Sequence, residues 1–90
     1  MSDSDERAFA EKICAAWREV VRTPGEPDEN FFDLGGHSML AIRLSVAVSD
    51  YLGHEVEPQL IYDHRTLAAY TAAVLESVAK ELSDTPEEAR

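Results

Sequence analysis

Positive charge is scarce in this chain. Eight Lys and Arg stand against 18 Asp and Glu, a formal net charge of −10, and such a surface repels the phosphates of nucleic acids and anionic membranes. Neither is expected as a partner; basic protein surfaces are favoured. Cysteine is almost missing, and Cys14 alone cannot close an internal disulfide. The N-terminus is acidic where a secretory signal is basic and then apolar. Together these predict a cytoplasmic protein. No apolar run approaches the ~20 residues that span a bilayer. His37, His54 and His64 are scattered with no H-x-x-x-H pair, and neither they nor a second cysteine stand near enough to Cys14 to suggest a metal or redox site. Cys14 therefore reads as a half-buried structural residue. Internal repeats and low-complexity linkers are absent too.

What is present is one small domain. Ninety residues with 44% hydrophobic content bury a modest core and leave no room for an enzyme with a deep pocket of its own. The foldable part is expected over 6–82, with 1–5 and 83–90 as flexible acidic termini. Beginning at Met1 and stopping soon after its last predicted helix, the chain is expected to be free-standing and monomeric.

Helical periodicity organises the rest. Phe9, Ile13, Ala16, Trp17, Val20 and Val21 predict an amphipathic helix over about 6–22. Thr23-Pro24-Gly25 ends it, and the segment on to Gly36, with Pro27 and four acids, reads as a long loop in which Phe31 or Phe32 plugs the core. A second helix runs from Ser38 to about Leu52 and closes on Gly53 as a left-handed cap. Its predicted core stripe is Leu40, Ala41, Leu44, Val48 and Tyr51. Pro58 opens a short helix through Leu60, Ile61 and Tyr62. Thr66 then caps a last helix carrying Leu67, Tyr70, Ala73, Val74, Val78 and Leu82, with Pro86 beyond its end. The fold class is all-α: a small bundle of three longer helices and one short one, with a long first loop.

The centre of the pattern is Asp33-Leu34-Gly35-Gly36-His37-Ser38. A Gly-Gly turn changes chain direction and lets another surface approach the backbone. It delivers Ser38 to a helix N-terminus, where free N–H groups and the helix dipole suit a phosphate ester. The competing nucleophile elbow, G-x-S-x-G, fails because Leu40 stands where the second glycine belongs. A serine that only caps its helix is the plainer alternative.

The run Phe31-Phe32-Asp33-Leu34-Gly35-Gly36-His37-Ser38-Met39-Leu40-Ala41 resembles the core motif of the thiolation, or peptidyl carrier protein, domains of nonribosomal peptide synthesis. Ile61-Tyr62-Asp63-His64-Arg65-Thr66-Leu67-Ala68 looks like the weaker second signature of that family, and the resemblance covers about Phe9 to Leu75. It implies the four-helix carrier-protein bundle, no catalytic activity, and Ser38 as the residue to which a phosphopantetheinyl transferase attaches 4′-phosphopantetheine from coenzyme A. Gly35, Gly36 and His37 accompany that site. It further implies an aminoacyl group held on the arm as a thioester, loaded by an adenylation enzyme and passed to condensation or tailoring enzymes. Arg65 stands where the family usually has proline, which predicts a looser connection before the last helix.

Met39, Ile42 and Val46 form a second apolar stripe beside Ser38, with Arg43 and Asp50 the only charges on that helix. With Ile61 and Tyr62 they are the candidate docking patch; packing against the loop or the short helix is the alternative. An apolar second helix also sides with peptidyl carriers over the acyl carriers of fatty acid synthesis. An acyl carrier for polyketide, fatty acyl, D-alanyl or aryl groups, and an unmodified helical adaptor, are the rival functions.

Overall fold

The computed structural model describes residues 3–83. Four helices follow in order: α1 (Asp3–Val21), α2 (Ser38–Leu52), α3 (Gln59–Asp63) and α4 (Leu67–Ser83). Among the described residues the only β pairing is an isolated bridge between Asn30 and Thr66. α1 packs on α2 and α4, and α3 lies against α4. The helix count, the short third helix and the long loop match the sequence expectation. α1, however, starts earlier than predicted. Asp3, Asp5 and Glu6 form its first turn, where acidic side chains meet the positive end of the helix dipole and favour helix over fraying. Glu81 likewise lies within α4. The side chain of Leu82, and Pro86 with the acids at 84, 87 and 88, fall outside the described residues.

The core forms where the apolar stripes converge. Trp17 of α1, Phe31 of the loop, Leu44 of α2, Ile61 of α3 and Tyr70 of α4 are all essentially inaccessible to solvent. The Trp17 ring meets Phe31 edge-on at 6.0 Å between centroids, and Tyr70 at 6.3 Å. Two loop residues, Phe31 and Val56, thus complete a core otherwise built from helices, and burial pushes the Tyr70 phenol up from its ordinary value.

One predicted burial is corrected, and two residues outside the predicted stripe prove buried. Tyr51, placed in the α2 core stripe, is 42% exposed, and its hydroxyl donates to Glu19 of α1 at 2.8 Å. Leu52 is the buried residue of that last turn. Ser45 is buried as well, which costs little because its hydroxyl donates to the Ile42 carbonyl at 2.8 Å.

The long loop is tied down by hydrogen bonds to both neighbours. The Glu29 carboxylate accepts from Trp17 Nε1 at 2.8 Å, from Thr23 Oγ1 at 2.5 Å and from the Gly25 N–H at 3.1 Å. Further along, Leu67 and Ala68 donate to the carbonyls of Glu29 and Pro27, each at 2.9 Å, and Phe31 donates to the Arg65 carbonyl at 2.8 Å. Thr66 Oγ1 accepts from the Ala69 N–H at 3.2 Å. Loop carbonyls and one side chain therefore cap the orphan donors of α4. The junction at Arg65 is consequently fastened, not loose as predicted: its backbone bonds the loop, and its Nε donates to the Tyr62 carbonyl at 3.2 Å.

This arrangement carries a pH prediction. Desolvation by itself raises the Glu29 pKa, but the hydrogen bonds from Thr23, the Glu26 backbone, Trp17 and Gly25 together outweigh it and hold the carboxyl below its ordinary value of 4.5. A folded-state pKa below the unfolded one gives stability that is present above the unfolded value and lost as pH falls through the folded one. Thermal melts of the wild type and Glu29→Gln across pH 7 to 3 are expected to differ at pH 7, with the variant melting lower, and to converge below about pH 4.5. Parallel curves over that range remove Glu29 as the acid-sensitive group.

Candidate functional site

The turn that delivers Ser38 is built on the core. Asn30 Oδ1 accepts from the N–H groups of Phe32 and Asp33 at 3.0 and 3.1 Å, an Asx turn that starts the chain reversal. Gly36 donates to the Phe31 carbonyl at 2.9 Å. Gly35 has φ +94°, a conformation that L side chains rarely adopt, and a Cβ there faces open space. Gly36 is needed for a different reason: a Cβ on it falls 2.3 Å from Phe31 Cε2 and 2.6 Å from the Phe31 carbonyl oxygen. The buried ring leaves no room for a methyl group. Gly36→Ala is expected to lose about 1–3 kcal/mol of stability, the usual cost of overpacking, read as a lower urea midpoint. Gly35→Asn, at a position where Asn tolerates positive φ, serves as the mild comparison.

Ser38 follows as the first residue of α2 and is exposed. The N-cap is His37, in extended conformation at φ −147°, and it makes no side-chain capping bond. The first backbone bond of the helix runs from the Ala41 N–H to the His37 carbonyl at 2.8 Å. The N–H groups of Ser38, Met39 and Leu40 find no acceptor among the described residues. The first turn holds no acidic residue. A phosphodiester on the Ser38 hydroxyl therefore meets free donors, the positive end of the helix dipole and no nearby carboxylate on its own helix. These residues fit a phosphopantetheine group. The structure also weakens the plain capping alternative, since the Ser38 hydroxyl caps nothing.

Of the predicted docking residues, Met39, Ile42, Val46 and Tyr62 are exposed, by 61%, 49%, 53% and 36%. Ile61 is not: at 1% exposure it belongs to the core and is withdrawn from the patch. Adjacent residues on a helix point to different sides, and of this pair only Tyr62 faces outward. His37, expected to accompany the site, is exposed and makes no side-chain hydrogen bond among the described residues, so its ring does not brace the loop.

Three features escaped sequence reasoning. Leu34, in the loop just before Ser38, is a further exposed apolar residue, at 42%. A groove opens beside Ser38 between α2 and the segment leading into α3. Finally, the Phe32 ring lies 5.3 Å from Tyr62, and the Arg65 guanidinium sits 5.6 Å over Phe32, a cation–π stack linking loop to α3. The second aromatic of Phe31-Phe32 was its only trace in the sequence. Among the described residues no cluster could hold a metal ion, and no helix is long and apolar enough to cross a membrane.

Comparison with known proteins agrees with this geometry. The family described as phosphopantetheine attachment site matches residues 11–74. A linear gramicidin synthase of Brevibacillus parabrevis is 41% identical over 73 residues, covering 78% of this chain and 1% of that protein. A phenolphthiocerol/phthiocerol polyketide synthase of Mycobacterium tuberculosis is 44% identical over 61 residues, covering 68% of this chain and 4% of that one. The chain thus spans only a few per cent of the curated relatives it matches. Among solved structures, BlmI of Streptomyces verticillus, a type-II acyl carrier protein involved in bleomycin biosynthesis, superposes with a TM-score of 0.72 at 29% identity, covering 83% of this chain and 92% of that one. The match over most of the chain, the four-helix bundle and the serine presented at the start of α2 converge: the chain belongs to the phosphopantetheine-attachment family, as a non-catalytic acyl or peptidyl carrier domain with an attachment site for 4′-phosphopantetheine.

Proposed function

We infer that the arm is attached to Ser38 and that this chain carries an aminoacyl group on it as a thioester, shuttling it between enzymes of nonribosomal peptide or related natural-product biosynthesis. The observation that carries the reading is the exposed Ser38 hydroxyl at a helix start with free N–H donors and no acid in the first turn. In the modification, Ser38 Oγ forms the new bond to phosphorus, its proton goes to a base of the transferase, and coenzyme A leaves adenosine 3′,5′-bisphosphate behind. The bound arm supplies a thiol for thioester chemistry. This chain's own residues hold the attachment point still, through Gly36 packed on Phe31, and offer the phosphate its donors.

The partners of this reading are a phosphopantetheinyl transferase, an adenylation enzyme and downstream condensation or tailoring enzymes, met in the cytoplasm by a monomeric carrier. Docking uses the exposed apolar residues Met39, Ile42, Val46 and Tyr62 beside Ser38. A shuttle must release as readily as it binds, and a small patch with a flexible thioether suits that. The polyketide synthase relative keeps one second reading in view, an acyl carrier for polyketide chains.

The deciding experiment is intact mass before and after incubation with coenzyme A and a broad-specificity phosphopantetheinyl transferase, followed by fragment mapping. The expected result is the gain of one arm on the peptide containing Ser38. An unmodified, folded product favours a plain adaptor. Challenge of the thiol form with amino acids and adenylating enzymes, against acyl donors and acyltransferases, then separates the two cargo classes.

A further inference from the structure

The groove beside Ser38 has a volume of about 430 Å³ and is lined by Ser38, Ile42, Glu57, Pro58, Gln59 and Tyr62. That lies within the ~300–1,000 Å³ of clefts that hold small organic ligands. Ile42, Pro58 and Tyr62 make its walls mainly apolar. Glu57 is its one charged residue, and among the described residues no Lys or Arg pairs with the Glu57 carboxylate. Glu57 stands between this groove and a neighbouring cleft lined by Glu55, Leu60, Ser77 and Glu81, and an unpaired carboxylate at the rim of an apolar groove that begins at the attachment point has a definite chemical complement.

Resting on the carrier reading above, we propose that this groove receives the aminoacyl end of the arm, folded back from Ser38, with Glu57 as the counter-ion of its α-ammonium group. Tethering at Ser38 supplies the local concentration, so even a weak site fills. The methyl and methylene parts of pantetheine match Ile42, Pro58 and Tyr62, and its amides match the Gln59 side chain, which both donates and accepts. An aminoacyl thioester carries a cation near neutral pH; an acetyl or polyketide thioester of the same length carries none. Charge complementarity at Glu57 therefore favours amino-bearing cargo over plain acyl cargo. Because the groove is open to water, the pair has the modest strength of a surface ion pair, about a two- to fivefold difference in groove occupancy. Such a site shelters the cargo in transit and still gives it up to a partner.

The test needs no cognate enzyme. A broad-specificity phosphopantetheinyl transferase transfers the arm to the isotope-labelled chain from two coenzyme A analogues, one ending in a glycyl amide and one in an acetyl amide. The two arms differ only by the ammonium group and resist hydrolysis. Amide NMR spectra are recorded for the wild type and Glu57→Gln at low and high salt. The expected result is larger shifts at Ile42, Gln59 and Tyr62 for the glycyl arm than for the acetyl arm, with the difference lost in Glu57→Gln and reduced by salt. Equal shifts for both arms, or a glycyl-specific shift that survives Glu57→Gln, overturn the proposal while leaving the carrier reading intact. If neither arm attaches to Ser38, the carrier reading is removed, and this inference with it. Glu57 is exposed, so Glu57→Gln is expected to fold, and unchanged resonances in α1 check that it has.

Discussion

Ser38→Ala will stay at its unmodified mass under conditions that convert the wild type fully, and it will remain folded. The effect on modification is all or none because no other serine or threonine hydroxyl stands at this helix start: the adjacent His37 and Met39 have none, and the next serine along α2, Ser45, is buried with its hydroxyl bonded to Ile42. The effect on stability is small for a structural reason. Ser38 is the first helical residue and not the cap, and its side chain makes no hydrogen bond among the described residues. The loss of ~1 kcal/mol that accompanies removal of a true N-cap therefore does not apply. Matching helical circular dichroism and melting curves, with no mass gain, is the expected pair of results. A Ser38→Ala chain that still acquires an arm refutes the assignment outright.

The second large effect is on folding. Phe31→Ala is expected to cost about 3–5 kcal/mol, the range for deleting a buried aromatic, in a domain whose total stability is of order 5–15 kcal/mol. Phe31 is fully buried against Trp17, and its backbone carbonyl and N–H bond Gly36 and Arg65. Its removal empties the core and slackens the turn in front of Ser38 together. The melting temperature is expected to fall by more than about 10 °C, and transferase modification to slow even where the chain is still folded. Phe32→Ala is the control, since Phe32 is only partly buried and its stack with Tyr62 and Arg65 lies at the surface. If the two variants melt alike, the loop is not held by Phe31.

Much of this was legible beforehand for local reasons. The α2 limits, the left-handed Gly53 at φ 72° and the Thr66 cap follow from propensities acting within a few residues. The exposure of Met39, Ile42 and Val46 follows from helical period alone. Where period was ambiguous, the reading failed. Tyr51 and Ile61 sit near helix ends, and which of two adjacent residues turns inward depends on the neighbouring element. The expected slackness at Arg65 failed because backbone bonds to a loop more than 30 residues away in sequence have no local signature.

By itself, then, the sequence determined an acidic all-α domain and a serine set at a helix start behind two glycines, because turn chemistry and helical period are properties of adjacent residues. Tertiary structure alone decided that Gly36 is pressed against the Phe31 ring, that Glu29 gathers α1 and the loop, and that Glu57 shares a groove with Ser38. Each of these joins segments that meet only when the bundle closes, and hydrophobic burial of Trp17, Phe31 and Tyr70 is what closes it.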